Sequence, residues 1–264
     1  MKKLLLVSAA ALALSASSAF AADLAPVPYY KAPPPPPPIS WTGCYVYGGV
    51  GYGMWNQDHY AETDPGSFVI GTTTTSGGQG WLGRIGGGCD YQVAPRWVIG
   101  AFADYDFMSV KGTFSDPTLP AAGSEKELGS WAAGGRIGYL VTPSLLTYVE
   151  GGWTQARFSQ IDFVYAGAVG PPVPFGFDVG AHNYNGWFLG GGTEYALSGI
   201  VPIHGLFWRT EYRYASYQAA ELPIVVTATG VASGVAEHMQ KDVQTITSGL
   251  VWRFNFGGAP GPGY

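Results

Sequence analysis

Eight stretches of the chain alternate apolar with polar or small residues, the period of two expected of strands whose faces meet different surroundings. They run from Cys44 to Trp55, Trp81 to Val93, Trp97 to Val110, Ser130 to Val141, Leu145 to Phe158, Tyr184 to Leu197, Gly205 to Ala219 and Asp242 to Phe256. Each exceeds the roughly 9–11 residues with which a tilted strand crosses a bilayer. The connections Ala94-Pro95-Arg96 and Thr142-Pro143-Ser144 are tight, and Ser198 to His204 is intermediate. The other four, Asn56 to Gly80, Lys111 to Gly129, Ser159 to Asn183 and Ala220 to Lys241, are long. Short turns at one end and long loops at the other are the rhythm of a membrane barrel. The pattern predicts an all-β fold: an eight-stranded antiparallel up-and-down transmembrane β-barrel over residues 41–256, with both termini on the short-turn, periplasmic side.

Tryptophan placement tests this, because interfacial aromatics belong at strand ends. Trp55, Trp81, Trp131, Trp153 and Trp187 fall toward the long-loop side, and Trp41, Trp97, Trp208 and Trp252 toward the short-turn side. All nine are expected to form outward girdles at the two membrane interfaces. Taking Trp as outward sets the parity of the strands, since successive side chains face opposite sides. Ile85, Ile99, Tyr105, Phe107, Tyr212, Tyr214, Leu250, Phe254 and Phe256 then turn outward. Five arginines (Arg84, Arg136, Arg209, Arg213, Arg253) and five acids (Asp104, Asp106, Glu150, Glu194, Glu211) turn inward, with Asp90 set aside at a strand end. In a hairpin centred on Pro95, Arg84 faces Asp106, and in one centred on Pro143, Arg136 faces Glu150; Glu194 and Arg209 come within one residue of opposition around Val201. Directly opposed side chains are close enough to pair. An eight-stranded barrel has an interior that side chains fill, so the balanced charges favour a salt-bridged plug over a narrow charged conduit.

The ends add a location. Met1, Lys2 and Lys3, the apolar run Leu4 to Ala16 and Ala19-Phe20-Ala21 match a cleaved secretory signal peptide over residues 1–21. Residues 22–40, with Pro26, Pro28 and the run Pro33 to Pro38, predict an extended polyproline spacer, a periplasmic arm. Residues 257–264 form a Gly/Pro-rich tail. No apolar run after the leader is long enough for a spanning helix. Glycine contributes 40 residues, aromatics 15% and charged residues only 12%, against about 25% charged in soluble domains, so much of the surface is expected to face something other than water. The net charge of −5 gives no footprint for nucleic acid.

Candidate chemistry changes the picture little. Cys44 and Cys89 both lie at the short-turn end of a hairpin in an oxidising compartment; two readings stand equally, a disulfide between them, or free thiols kept apart by a register-shifting bulge in Gly86-Gly87-Gly88. Two cysteines are too few for a protein-only zinc site, and no metal or cofactor is expected. No strand carries a histidine beside an acid and a serine, so no nucleophile system of an enzyme is expected. The glycine-rich words at Gly86 and Gly190 lack the following helix of a phosphate loop.

Ser40-Trp41-Thr42-Gly43-Cys44-Tyr45-Val46, Gly135-Arg136-Ile137-Gly138-Tyr139, Gly190-Gly191-Gly192-Thr193-Glu194-Tyr195 and Gly249-Leu250-Val251-Trp252-Arg253-Phe254 resemble the outer-membrane β-barrel family of rhizobia and related alphaproteobacteria. That family includes opacity-like surface antigens often labelled "porin family". The resemblance covers essentially the whole mature chain. It implies an eight-stranded opacity-type barrel in the cell outer membrane, surrounded by lipid and lipopolysaccharide. Such barrels commonly end on an aromatic that resembles the signal read by the barrel-assembly machinery. Here Gly257 to Tyr264 follows Phe256, so that either Tyr264 serves as the signal or Phe254 and Phe256 serve as an internal one. Some relatives are associated with haem, for which His59-Tyr60 or His238-Met239 have suitable ligand chemistry; the favoured reading of His59, His182 and His238 at the outer loops, and of His204 in a short turn, is as solvated residues.

The expected role is structural and surface-interacting, without catalysis: membrane integrity and loop display. A narrow porin-like channel for small solutes or ions is the alternative. Adhesion or receptor activity through Tyr60, Phe68, Tyr165 and Phe175, as surface ligand contacts, is a minor one.

Overall fold

The computed structural model describes residues 39–116, 121–167 and 171–254. The leader, the arm up to Pro38, Phe256 and the tail lie outside the described residues. Eleven strands follow in order: β1 (Gly43–Thr63), β2 (Val69–Ala94), β3 (Trp97–Asp116), β4 (Ala121–Thr142), β5 (Leu145–Phe158), β6 (Ile161–Tyr165), β7 (Pro174–Val179), β8 (His182–Ala196), β9 (Leu206–Tyr217), β10 (Ala220–Val226) and β11 (Ala232–Phe254). All pairings are antiparallel, and β1 closes the sheet against β11.

The wall has two storeys. At the short-turn end the ring runs β1-β2-β3-β4-β5-β8-β9-β11, eight strands. Toward the other end, here called upper, β5, β8 and β9 stop and β6, β7 and β10 take their places through the pairings β4–β6, β6–β7, β7–β10 and β10–β11. The breaks are two residues each, at 159–160, 180–181 and 218–219. The count of eight is thus kept while three strands kink.

This overturns the expectation of four long outer loops over 56–80, 111–129, 159–183 and 220–241. Those stretches are mostly strand: β1 continues to Thr63, β2 begins at Val69, and the turn between them is Asp64 to Phe68. A strand of 21 residues, tilted as in small barrels, rises about 50 Å, roughly twice the ~25 Å apolar band of such proteins. In the upper storey the outward face meets water and carries Asp58, Thr75, Lys111 and Ser124, while the inward face is also partly polar. Hydropathic alternation fades there although the strands continue.

Seven of the nine tryptophans face outward at 40–69% exposure: Trp81, Trp97, Trp131, Trp153, Trp187, Trp208 and Trp252. Trp41 and Trp55, expected in the girdle, are instead 1% exposed and lie inside. On β1 the outward set is Val46, Val50, Tyr52 and Met54, and Trp55 has the opposite parity. Its indole fits because β2 and β3 offer no side chains there: a Cβ on Gly78 would stand 2.7 Å from the indole and one on Gly112 2.5 Å. Trp41 closes the short-turn end, donating its indole N–H to the Pro143 carbonyl at 3.1 Å and packing on Phe207.

Gly112→Val should therefore overpack the barrel and lower its stability by about 1–3 kcal/mol. Guanidinium unfolding of the refolded protein in detergent measures this, and Trp55→Leu in the same chain should restore part of the loss.

Candidate functional site

Below the upper tryptophans the lumen is filled by one connected set of ions. Arg84 on β2 meets Asp106, its register partner on β3, in a two-pronged pair at 2.6 and 2.7 Å, and also pairs with Glu211. Arg213 on β9 takes Asp104 two-pronged at 2.8 and 2.9 Å, then Glu150 at 2.9 Å and Glu211 at 3.1 Å. Nearer the short turns, Arg136 on β4 takes Asp90 at 2.6 and 3.0 Å and Glu194 at 2.7 Å. Glu194, directly opposite Arg209, is also held by Arg209 and Arg253 at 2.5 Å each, and Arg253 reaches Asp90 at 2.7 Å. A 3.9 Å approach of Arg209 to Glu211 joins the two halves. Every one of these residues is at most 7% exposed.

Two expectations change. Arg136 and Glu150 are register partners, yet Arg136 turns to Asp90 and Glu194 while Glu150 is held by Arg213. Hairpin arithmetic sees only the adjacent strand; in so narrow a tube the charges of nonadjacent strands are equally near. Asp90 is likewise an interior member of the network, accepting from two arginines.

Tyrosines complete the packing. Tyr47 donates to Asp104 at 2.7 Å and Tyr148 to Glu211 at 2.8 Å. Arg209 stacks over Tyr47 at 4.0 Å and Arg136 over Tyr45 at 4.5 Å. Glycines make the room: a Cβ on Gly86 would sit 2.6 Å from the Tyr47 ring, and one on Gly88 2.6 Å from the Tyr45 hydroxyl. The glycine run holds no bulge, since register is unbroken from Gly43 opposite Asp90 to His59 opposite Thr74. Cys44 and Cys89 are register partners within it and their sulfurs are bonded, on the outer face at the short-turn end. The void between Tyr47, Arg84, Arg209, Glu211 and Thr247 measures about 10 Å³, room for about one water.

A second buried polar cluster fills the upper storey, in stretches whose hydropathy reads as loop. Lys241 on β11 donates to both carboxylate oxygens of Glu125 at 2.7 and 2.8 Å and to the Gln57 carbonyl oxygen. Its ammonium lies 4.2 Å from the Phe158 ring centre, 5.1 Å from Tyr184 and 5.2 Å from Trp55. Burial pulls Lys241 below the usual lysine range, against the opposing pull of Glu125. Glu127 is fully buried, and its carboxylate oxygens have no hydrogen-bond partner among the described residues. Burial, with Asp106 and Glu125 nearby, pushes its carboxyl up to about 8 despite Lys241, so it carries a proton at neutral pH.

His59 stands inside, with Nε2 3.0 Å from Ser76 and Nδ1 3.7 Å from Glu237, against Phe114; Met239 is also buried. Neither can ligate a haem on the outer wall. His238 and Tyr60 face outward, stacked at 4.7 Å. His182 is partly buried, and burial with nearby Lys241 lowers its pKa.

Two outcomes follow from this geometry. Arg136→Ala should cost about 3–5 kcal/mol, and double-mutant cycles in denaturant should show stronger coupling of Arg136 to Asp90 and Glu194, its direct partners, than to Glu150. For Glu127, the folded value of about 8 lies above the ordinary 4.5, so folding takes up a proton between them and stability falls as pH rises through that window. Lys241 contributes the opposite slope below its ordinary 10.5, so the measurement is a comparison. From pH 6 to 8, Glu127→Gln should remove a downward component from the unfolding midpoint, and parallel wild-type and variant curves would contradict a protonated Glu127.

The chain is similar to known proteins. The outer membrane protein beta-barrel domain matches residues 7–254. The 31 kDa outer-membrane immunogenic protein of Brucella melitensis is 29% identical over 226 residues, covering 81% of this chain and 86% of that protein, and its Brucella suis counterpart matches equally. Among solved structures, the outer membrane protein OprG of Pseudomonas aeruginosa aligns with a TM-score of 0.45 at 13% identity, over 81% of this chain and 97% of that one. A closed antiparallel wall of eight strands, an outward tryptophan set and the domain match across nearly the whole chain lead to one assignment: the protein belongs to the outer membrane β-barrel family and resides in the outer membrane.

Proposed function

We propose that the protein is a non-enzymatic structural element of the outer membrane, a closed barrel that stiffens the bilayer and holds its upper storey above it. One observation carries this reading: five arginines and six carboxylates form a continuous ion-pair network across the lumen, each at most 7% exposed. A solute path needs a continuous file of water, whereas the charges here are satisfied by one another. The seven outward tryptophans suit the two edges of the lipid and lipopolysaccharide layer. Phe254, which ends β11 opposite Cys44, with Phe256 beyond it, suits the signal read by the assembly machinery during insertion. Surface interaction falls to the upper rim, where Phe68 is 75% and Tyr165 47% exposed.

Single-barrel recordings in planar bilayers test closure. The purified protein should give no stable conductance steps at moderate voltage. Stable openings in the wild type, with ion selectivity that shifts in Arg136→Glu, would overturn the closed reading in favour of a narrow porin-like channel.

A further inference from the structure

Outside the lumen, three ligand-type side chains converge on the outer wall of the upper storey. His238 lies on β11; Glu221 is its register partner on β10, and Tyr60 its partner on β1. Glu62, two residues beyond Tyr60 and on the same face, is the diagonal neighbour of His238. One ligand atom from each of Glu62, Glu221 and His238 lies within 4.8 Å of the other two. From these residues we infer a surface site for a first-row divalent transition cation of the zinc type, independent of whether the lumen conducts.

Three observations argue for a cation rather than a chance cluster. Glu62 is only 4% exposed, and no salt bridge holds its carboxylate among the described residues. Nδ1 of His238 is also buried without a hydrogen-bond partner among the described residues. No lysine or arginine among the described residues pairs with Glu62 or Glu221, so two carboxylates share one small volume without a counter-charge. Two carboxylates brought together without a counter-charge favour a cation between them, and the imidazole beside them adds a neutral donor.

The donor set indicates which cation. An imidazole with two carboxylates suits zinc and its first-row neighbours. Calcium takes six to eight oxygens, and magnesium is held through oxygen and water alone. Donors around zinc at ~2.0–2.1 Å stand roughly 3.4 Å apart, so the three must close slightly. Glu221 is exposed and free to swing, whereas Tyr60, stacked on the imidazole at an interplanar angle of 10°, holds His238 in place. A fourth position remains open toward solvent. The ion would tie β10, the last strand of the upper storey's substituted arc, to β11 and β1.

Calorimetric titration of the refolded full-length protein in detergent with Zn²⁺ tests the site. One equivalent should bind, and Glu62→Gln and His238→Ala should each weaken it by about a hundredfold or more. His182→Ala and His204→Ala should leave it unchanged, and Mg²⁺ or Ca²⁺ should give no saturable heat. Glu62→Gln preserves side-chain shape, and the far-UV spectrum of each variant verifies that its barrel has formed. Absence of stoichiometric zinc binding, or one equivalent that survives both Glu62→Gln and His238→Ala, would overturn the proposal.

Discussion

A guanidinium ion in a tube too narrow for its hydration shell must find its oxygens in the wall. That constraint governs the lower storey. Each arginine offers five donors in a fixed fork, and here the carboxylates are shared: Glu194 serves Arg136, Arg209 and Arg253, and Glu211 serves Arg84 and Arg213. The sharing ties β2, β3, β4, β5, β8, β9 and β11 to one another through the interior. A slip of one residue between β2 and β3 would turn Arg84 toward lipid and leave Asp106 buried alone, so the network sets register as well as filling space. β1 carries no ion into it and contributes Tyr45 and Tyr47, whose rings cover Arg136 and Arg209.

The glycine content follows from the same constraint. Long arginines and tyrosine rings leave no depth for side chains on facing strands, so Gly86 and Gly88 lie against Tyr47 and Tyr45, and Gly192 comes within 2.8 Å of the Tyr148 hydroxyl if given a Cβ. In the upper storey Gly78 and Gly112 do this for Trp55. A composition that reads as loose chain is the complement of unusually large interior groups.

Period-two alternation and the two proline turns made the lower barrel legible, down to the facing of Arg84 and Asp106. They did so because hairpin register is local arithmetic and the lipid-facing side is uniformly apolar. Three features escaped for physical reasons. The partner choice of Arg136 is made across the lumen, where sequence distance carries no information. The inward turn of Trp55 depends on glycines in two other strands, so a rule applied within one strand cannot find it. The upper storey was hidden because water outside and Lys241, Glu125 and Glu127 inside erase the contrast between its faces; only the run Glu125-Lys126-Glu127, with its acids on one parity, signalled a strand.

A wall that rises above the membrane as strand presents its surface differently from one that ends in loops. Along β1, β2 and β11 only alternate residues reach the outside, and neighbours on the surface, such as Asp58 and Gln240 or Lys111 and Gln79, are far apart in the chain. An antibody recognising this region would read across strands, so its epitopes would vanish on denaturation and short linear peptides would mimic them poorly.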